Sequence, residues 1–189
     1  MREIMSPEER AVKEAKQRRI IVIIISVVLI LSTLGYSLRG FGGGSKNKIE
    51  YKDVTFGLQE DGWHFALSGI DFVTMYNPLE TENVSAPIFM TANDYAGKPL
   101  YYSDDSSVEG MREIAQNLDK IISRIQPTCM TVNCTGFVRK NCTSSNIIII
   151  KQSNETFINQ KENCISIYAS PGEMIRASDK FLFKILGLQ

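Results

Sequence analysis

Residues 146–169 read NIIIIKQSNETFINQKENCISIYA, and the fold turns on how this stretch is parsed. NIIIIK and CISIY are β-branched runs of the kind found in buried strands, with TFIN a shorter one between them. SNE (153–155) and QKEN (160–163) are the turns. The sequence that follows, SPGEMIRASDKFLFKILGL, starts a helix, with Ser170 placed to cap, Pro171 at the first helical position and Glu173 at the third. Met174, Ile175, Phe181, Leu182, Ile185 and Leu186 form its apolar face.

Upstream, SSVEGMREIAQNLDKIISRI (106–125) carries Val108, Met111, Ile114, Leu118, Ile121, Ile122 and Ile125 at steps dominated by three and four, a single helical stripe. Ser106 and Glu109 fit a capping box, and Pro127 falls just past the expected end. The region before it reads as β. Ile49, Tyr51, Val54 and Phe56 alternate imperfectly, and Glu60-Asp61-Gly62 makes a turn. Trp63, Phe65 and Leu67 then share a face, and Ile70, Phe72 and Val73 run into Met75 and Tyr76 before Asn77-Pro78 closes a short antiparallel meander. APIFMTA (86–92) and KPLYYSD (98–104) supply two further strands. The expected fold is an α+β (or α/β) sandwich, mostly antiparallel, with both helices packed on a sheet.

A different signal precedes this domain. Residues 20–38, IIVIIISVVLILSTLGYSL, contain no charge. At 1.5 Å per residue they span roughly 28 Å, about the hydrocarbon thickness of a bilayer. This is the pattern of a transmembrane helix in contact with lipid. Six basic residues precede it (Arg2, Arg10, Lys13, Lys16, Arg18, Arg19) and four follow it (Arg39, Lys46, Lys48, Lys52), which favours a cytoplasmic N-terminus. Ser6, Pro7 and Glu9 start a helix in the 1–19 segment that runs on into the span. A cleavable secretory signal has a shorter apolar run, and a prepilin-like signal lacks its small residue because Ile20 follows Arg19 directly. Residues 39–48 (RGFGGGSKNK) are a flexible linker rather than a phosphate-binding loop, since they follow a span and not a strand. Residues 49–189 then form one extracytoplasmic domain. Residues 40–189 carry 14 basic and 17 acidic side chains, a balance that argues against a nucleic-acid partner.

All four cysteines, Cys129, Cys134, Cys142 and Cys164, lie beyond the span. Outside the cell they read as two disulfides, since C-x-x-C redox spacing and paired short-spaced zinc ligands are both absent. Three pairings exist, of which Cys129–Cys134 with Cys142–Cys164 is favoured, the second tying together the approaches to two strands. Four N-x-[ST] sequons, at Asn83, Asn133, Asn141 and Asn154, fall on the same side.

No catalytic set emerges. His64, the only histidine, alternates with Trp63 and Phe65 in a strand, and no nucleophile motif is present. Asp104 and Asp105, after Tyr101 and Tyr102, are the best carboxylate pair and read first as turn and cap residues. No cofactor or metal is expected. The C-terminal stretch NCTSSNIIIIKQSNETFINQKENCISIYAS and its closing helix ending DKFLFKILGLQ resemble short single-pass membrane-anchored proteins of archaea with a disulfide-bearing extracytoplasmic domain. That group has no assigned activity, so the resemblance implies topology and compartment but no chemistry. The expected function is a membrane-tethered binding or scaffolding domain at the cell surface. It would meet membrane lipid through residues 20–38 and another membrane or cell-surface protein through Arg139 and Lys140 in the basic loop between cysteines. The alternative is a surface enzyme acting on glycans or peptides with Asp104 and Asp105.

Overall fold

The structure, a computed structural model, describes residues 21, 24–26, 47–103, 105–130 and 136–189. The chain divides into two compact units, Met1–Lys46 and Asn47–Gln189. The segment 1–19, most of the apolar span 20–38 and linker residues 39–46 lie outside the described residues; residues 21 and 24–26 are helical. Among the described residues no helix is long and apolar enough to cross a membrane.

The second unit is α+β. Strands β1 (Lys48–Tyr51), β2 (Val54–Gln59), β3 (Gly62–Leu67) and β4 (Ile70–Thr74) form an antiparallel meander in that order. Two of its connections are two-residue loops whose central residues all have positive φ: Lys52 and Asp53, then Ser68 and Gly69. Positive φ at both positions is the geometry that matches the right-handed strand twist. Next come a short helix α1 (Ala92–Tyr95), strand β5 (Pro99–Ser103), helix α2 (Val108–Leu118), and strands β6 (Arg124–Cys129), β7 (Val138–Arg139), β8 (Asn146–Gln152), β9 (Phe157–Lys161) and β10 (Cys164–Ala169). Helix α3 (Met174–Ile185) follows a 3-10 turn at Pro171–Glu173.

The second sheet has the order β7-β6-β5-β8-β10-β9. Only β9–β10 pair antiparallel in it; β7, β6, β5, β8 and β10 run parallel to their neighbours. This corrects the expectation of a mostly antiparallel sheet. One cause is β5–α2–β6, a strand–helix–strand crossover whose second strand begins at Arg124 and Ile125, inside the stretch expected to be helical. Helix α2 ends at Leu118, not near residue 125, because Gly97 N–H donates to the Ile121 carbonyl (2.8 Å) and Ser123 N–H to the Lys98 carbonyl (3.0 Å), turning the chain back along β5. Pro127, expected beyond the helix, sits inside β6 opposite Tyr102.

Two further expectations change. Residues 86–90 form no strand: Phe89 and Met90 N–H groups donate to the Gln160 side chain (2.7 and 3.2 Å) instead of a strand backbone. Helix α2 begins after Ser107, and Ser106 Oγ accepts from Ile150 N–H (3.1 Å) rather than capping. Ser170 precedes Pro171 as expected, without a side-chain cap bond.

The helices form a middle layer. Leu100, Ile148, Ile150, Ile165 and Ile167 of the mixed sheet pack on Ile114, Leu118, Phe181 and Leu182 of the helices. On the other side Phe56, Trp63, Phe65 and Phe72 of the meander close on Phe183 and Leu188. Helix α3 thus faces both sheets. Gly110 permits the close approach of α2, since a Cβ there would lie 2.8 Å from Ser178 Oγ and 2.9 Å from Ile150 Cδ1.

Candidate functional site

Among the described residues the mixed sheet has helices on one face only, so its outer face is where side chains remain to be explained. Alternation along β5 sends Leu100 and Tyr102 toward the helices and Tyr101 to the outer face. There the Tyr101 ring is buried against Ile147 and Cys164, with Met130 and Cys142 packed beside it. The β5–β6 register pairs Tyr101 with Gln126 and Pro99 with Arg124, which puts Arg124 on this face at the entry to β6.

Lys140 reaches the same ring from the other direction. Its N–H donates to the Cys129 carbonyl (3.3 Å) just after β7, and its Nζ lies 4.8 Å from the Tyr101 centroid, a cation–π distance. The neighbouring side chains of Arg124, foremost, and Lys140 hold the Tyr101 hydroxyl's pKa below the usual phenol range, against the opposing effect of burial. Arg139 is exposed on β7, opposite Cys129. Among the described residues no carboxylate pairs with Arg124, Arg139 or Lys140. Two cations beside one tyrosine, Arg124 and Lys140, can receive a carboxylate, sulfate or phosphate through charge-assisted hydrogen bonds.

The staple behind this face is the Cys142–Cys164 disulfide, with Cα atoms 5.0 Å apart. Around it Asn163 N–H donates to the Cys142 carbonyl (3.0 Å) and Asn163 Nδ2 to the Thr143 carbonyl (3.1 Å), joining the β8 approach to the β9–β10 turn. Cys129 is also disulfide-bonded; Cys134 and Asn133 lie outside the described residues.

The YYSDD stretch does not assemble as one cluster. Tyr101 joins the basic face, whereas Tyr102 lines an apolar groove of about 440 Å³ with Met111, Ile125, Pro127 and Phe137. Asp104 lies outside the described residues. Asp105 is exposed in the turn after β5, where Ser103 Oγ donates to Oδ1 and Lys151 Nζ pairs with Oδ2 at 3.0 Å. The Ser103 hydrogen bond, foremost, and Lys151 hold its pKa below the ordinary value. Asp105, Ser106 and Gln152 do line a small cavity of about 270 Å³ at the carboxyl ends of β5 and β8. Open sheets with parallel strands bind ligands at such a switch in strand order. No aromatic side chain lines it.

The other residues singled out from sequence are dispersed. His64 bonds Asp61 at 2.6 Å on the meander. Asn83 Oδ1 accepts from Arg176 (3.0 Å), Asn141 Oδ1 accepts from both Ser144 N–H and Oγ (3.1 and 2.9 Å), and Asn154 is exposed in the β8–β9 turn. Among the described residues no group of three or more His, Cys, Asp or Glu is arranged to hold a metal ion. Sequence reasoning missed Arg124, whose relation to Tyr101 exists only once β6 is recognised as a strand. Compared with known proteins, the chain matches no family model, no curated protein and no solved structure.

Proposed function

We propose that this chain is a membrane-tethered extracytoplasmic binding protein, anchored by residues 20–38 with its N-terminus cytoplasmic, whose basic face receives an acidic segment of a cell-surface protein. The observation that carries the reading is the convergence of Arg124 and Lys140 on Tyr101 with no described carboxylate to neutralise them. The Cys142–Cys164 bond supports an oxidising compartment, where such bridges persist. The domain as a whole is mildly acidic, so this face is a local exception to it.

Polyglutamate is a suitable probe for the full chain in detergent. The wild type is expected to bind it in a salt-sensitive manner, and Arg124→Glu with Lys140→Glu is expected to weaken binding at least about tenfold. Equal binding by the variant, or binding that ignores salt, rejects the reading. The compartment makes a separate prediction. Peptide mass spectrometry of the native protein is expected to find glycan on Asn154, which is exposed in a turn, and none on Asn141, whose side chain is engaged by Ser144. An occupied Asn141 beside a bare Asn154 would be the contrary result.

A further inference from the structure

Glu113 of α2 and Asp179 of α3 meet in the interior beneath the end of β4. Asp179 is fully buried and Glu113 is 9% exposed. Asp179 Oδ2 accepts from Tyr76 N–H at 2.8 Å, while its Oδ1 has no N–H donor. Its neighbour across the contact between α2 and α3 is the Glu113 carboxyl. Two carboxylates cannot occupy such a site together, but a carboxylic acid and a carboxylate can, with the proton filling the gap. About one turn along α2, Asn117 accepts from Val73 N–H (2.9 Å) and donates to the Val73 carbonyl (2.7 Å). The free edge of β4 and the residues after it are therefore satisfied by helix side chains rather than by another strand.

We infer that Glu113 and Asp179 share one proton in the folded domain and that this proton latches the end of β4 to the helix layer. The surrounding charges do not substitute for it. From the meander, Asp61 and Asp71 line the cavity of about 510 Å³ onto which Glu113 opens, and from the turn after α2 Asp119 and Lys120 line it as well. From α3, Lys180 turns to the Glu82 carbonyl (3.5 Å) and Arg176 pairs with Glu173 (2.9 Å). From the turn after β4, Glu80 accepts from Asn77 N–H (2.8 Å). Among the described residues neither buried carboxyl forms an ion pair.

The direction of the pH dependence follows. Burial, first, and then the Glu113 charge push Asp179 well above the usual carboxylate range, and burial raises Glu113. A raised folded-state pKa means that the folded domain holds a proton the unfolded chain has released. Its stabilisation is complete below the unfolded carboxyl value of about 4 and declines as pH rises toward the pair's own titration. Over that window the unfolding equilibrium constant rises about tenfold per pH unit. Above it, two like charges face each other with no ion pair to either among the described residues, and the edge of β4 loosens.

Infrared spectroscopy of the intact wild-type chain in heavy water at neutral pH tests the proton directly. One protonated carboxyl band per chain is expected, absent from Glu113→Gln. Urea unfolding across the same pH range tests the latch: the wild type should lose stability as pH rises, and Glu113→Gln and Asp179→Asn should both flatten that dependence. A wild type with no protonated carboxyl overturns the inference whether or not the variants fold. So does an unchanged pH slope in a folded variant.

Discussion

Phe183→Ala is expected to destabilise the domain at 47–189 by about 3–5 kcal/mol, the range for removing a fully buried aromatic ring. Phe183 has no exposed surface, and its ring lies 5.9 Å from both Phe56 and Phe65, edge-on to the former. Those rings continue into Phe72, stacked on Phe65 at 5.2 Å. The deletion therefore opens the centre of the contact between α3 and the meander, where rigid aromatic neighbours collapse poorly into a gap. In thermal unfolding followed by circular dichroism, the midpoint should fall by roughly 10 °C or more. A fall of only a degree or two would mean that the meander does not depend on this contact. Phe183→Leu, which keeps most of the volume, should recover a large part of the loss.

Removing the Cys142–Cys164 bridge is the second large effect. The bridge joins residues 22 apart in sequence, and a closed loop of that size is worth about 3 kcal/mol in the chain-entropy model. The loop it closes contains β8 and β9, so the reduced chain gains freedom in strands that flank β10 on both sides. Cys142→Ala with Cys164→Ala is expected to lower the urea midpoint accordingly and to leave the slope of the transition little changed. Cys164 also packs against Tyr101, so the same variant should bind polyglutamate more weakly than a surface variant of equal stability. If the urea midpoint does not move, the bridge contributes nothing to the fold.

Much of the architecture was readable because its signals are local. The β-branched runs at 146–169, separated by two short turns, became β8, β9 and β10. The aromatic alternation from Phe56 to Phe72 became the inner face of the meander, and the apolar stripe of 174–186 became α3. One cysteine pairing followed from where strands begin. What escaped was non-local. Ile121, Ile122 and Ile125 keep helical spacing although the helix stops at Leu118, because the stop is imposed by backbone bonds from residues 97–98. That one misreading hid β6, its parallel pairing with β5, and the position of Arg124 beside Tyr101, whereas the parallel β8–β10 pair arises because β9 lies outside β10. Glu113 and Asp179 were invisible for a similar reason: each looks like an ordinary polar position on its own helix, and only the crossing of α2 with α3 makes them neighbours. The basic loop was legible as Arg139-Lys140, but the ring that organises it was not.

The placement of α3 sets a schedule for folding as well as a core. It lies between the sheets in space but after every strand in the chain. Until residues 174–188 emerge, the meander lacks Phe183 and Leu188, and the mixed sheet has only α2 against its apolar inner face. During synthesis the domain therefore passes through a stage rich in unprotected strand surface, when chaperones, proteases and premature cysteine oxidation compete with folding. Truncation just before Met174 should yield not a smaller stable domain but an aggregating one.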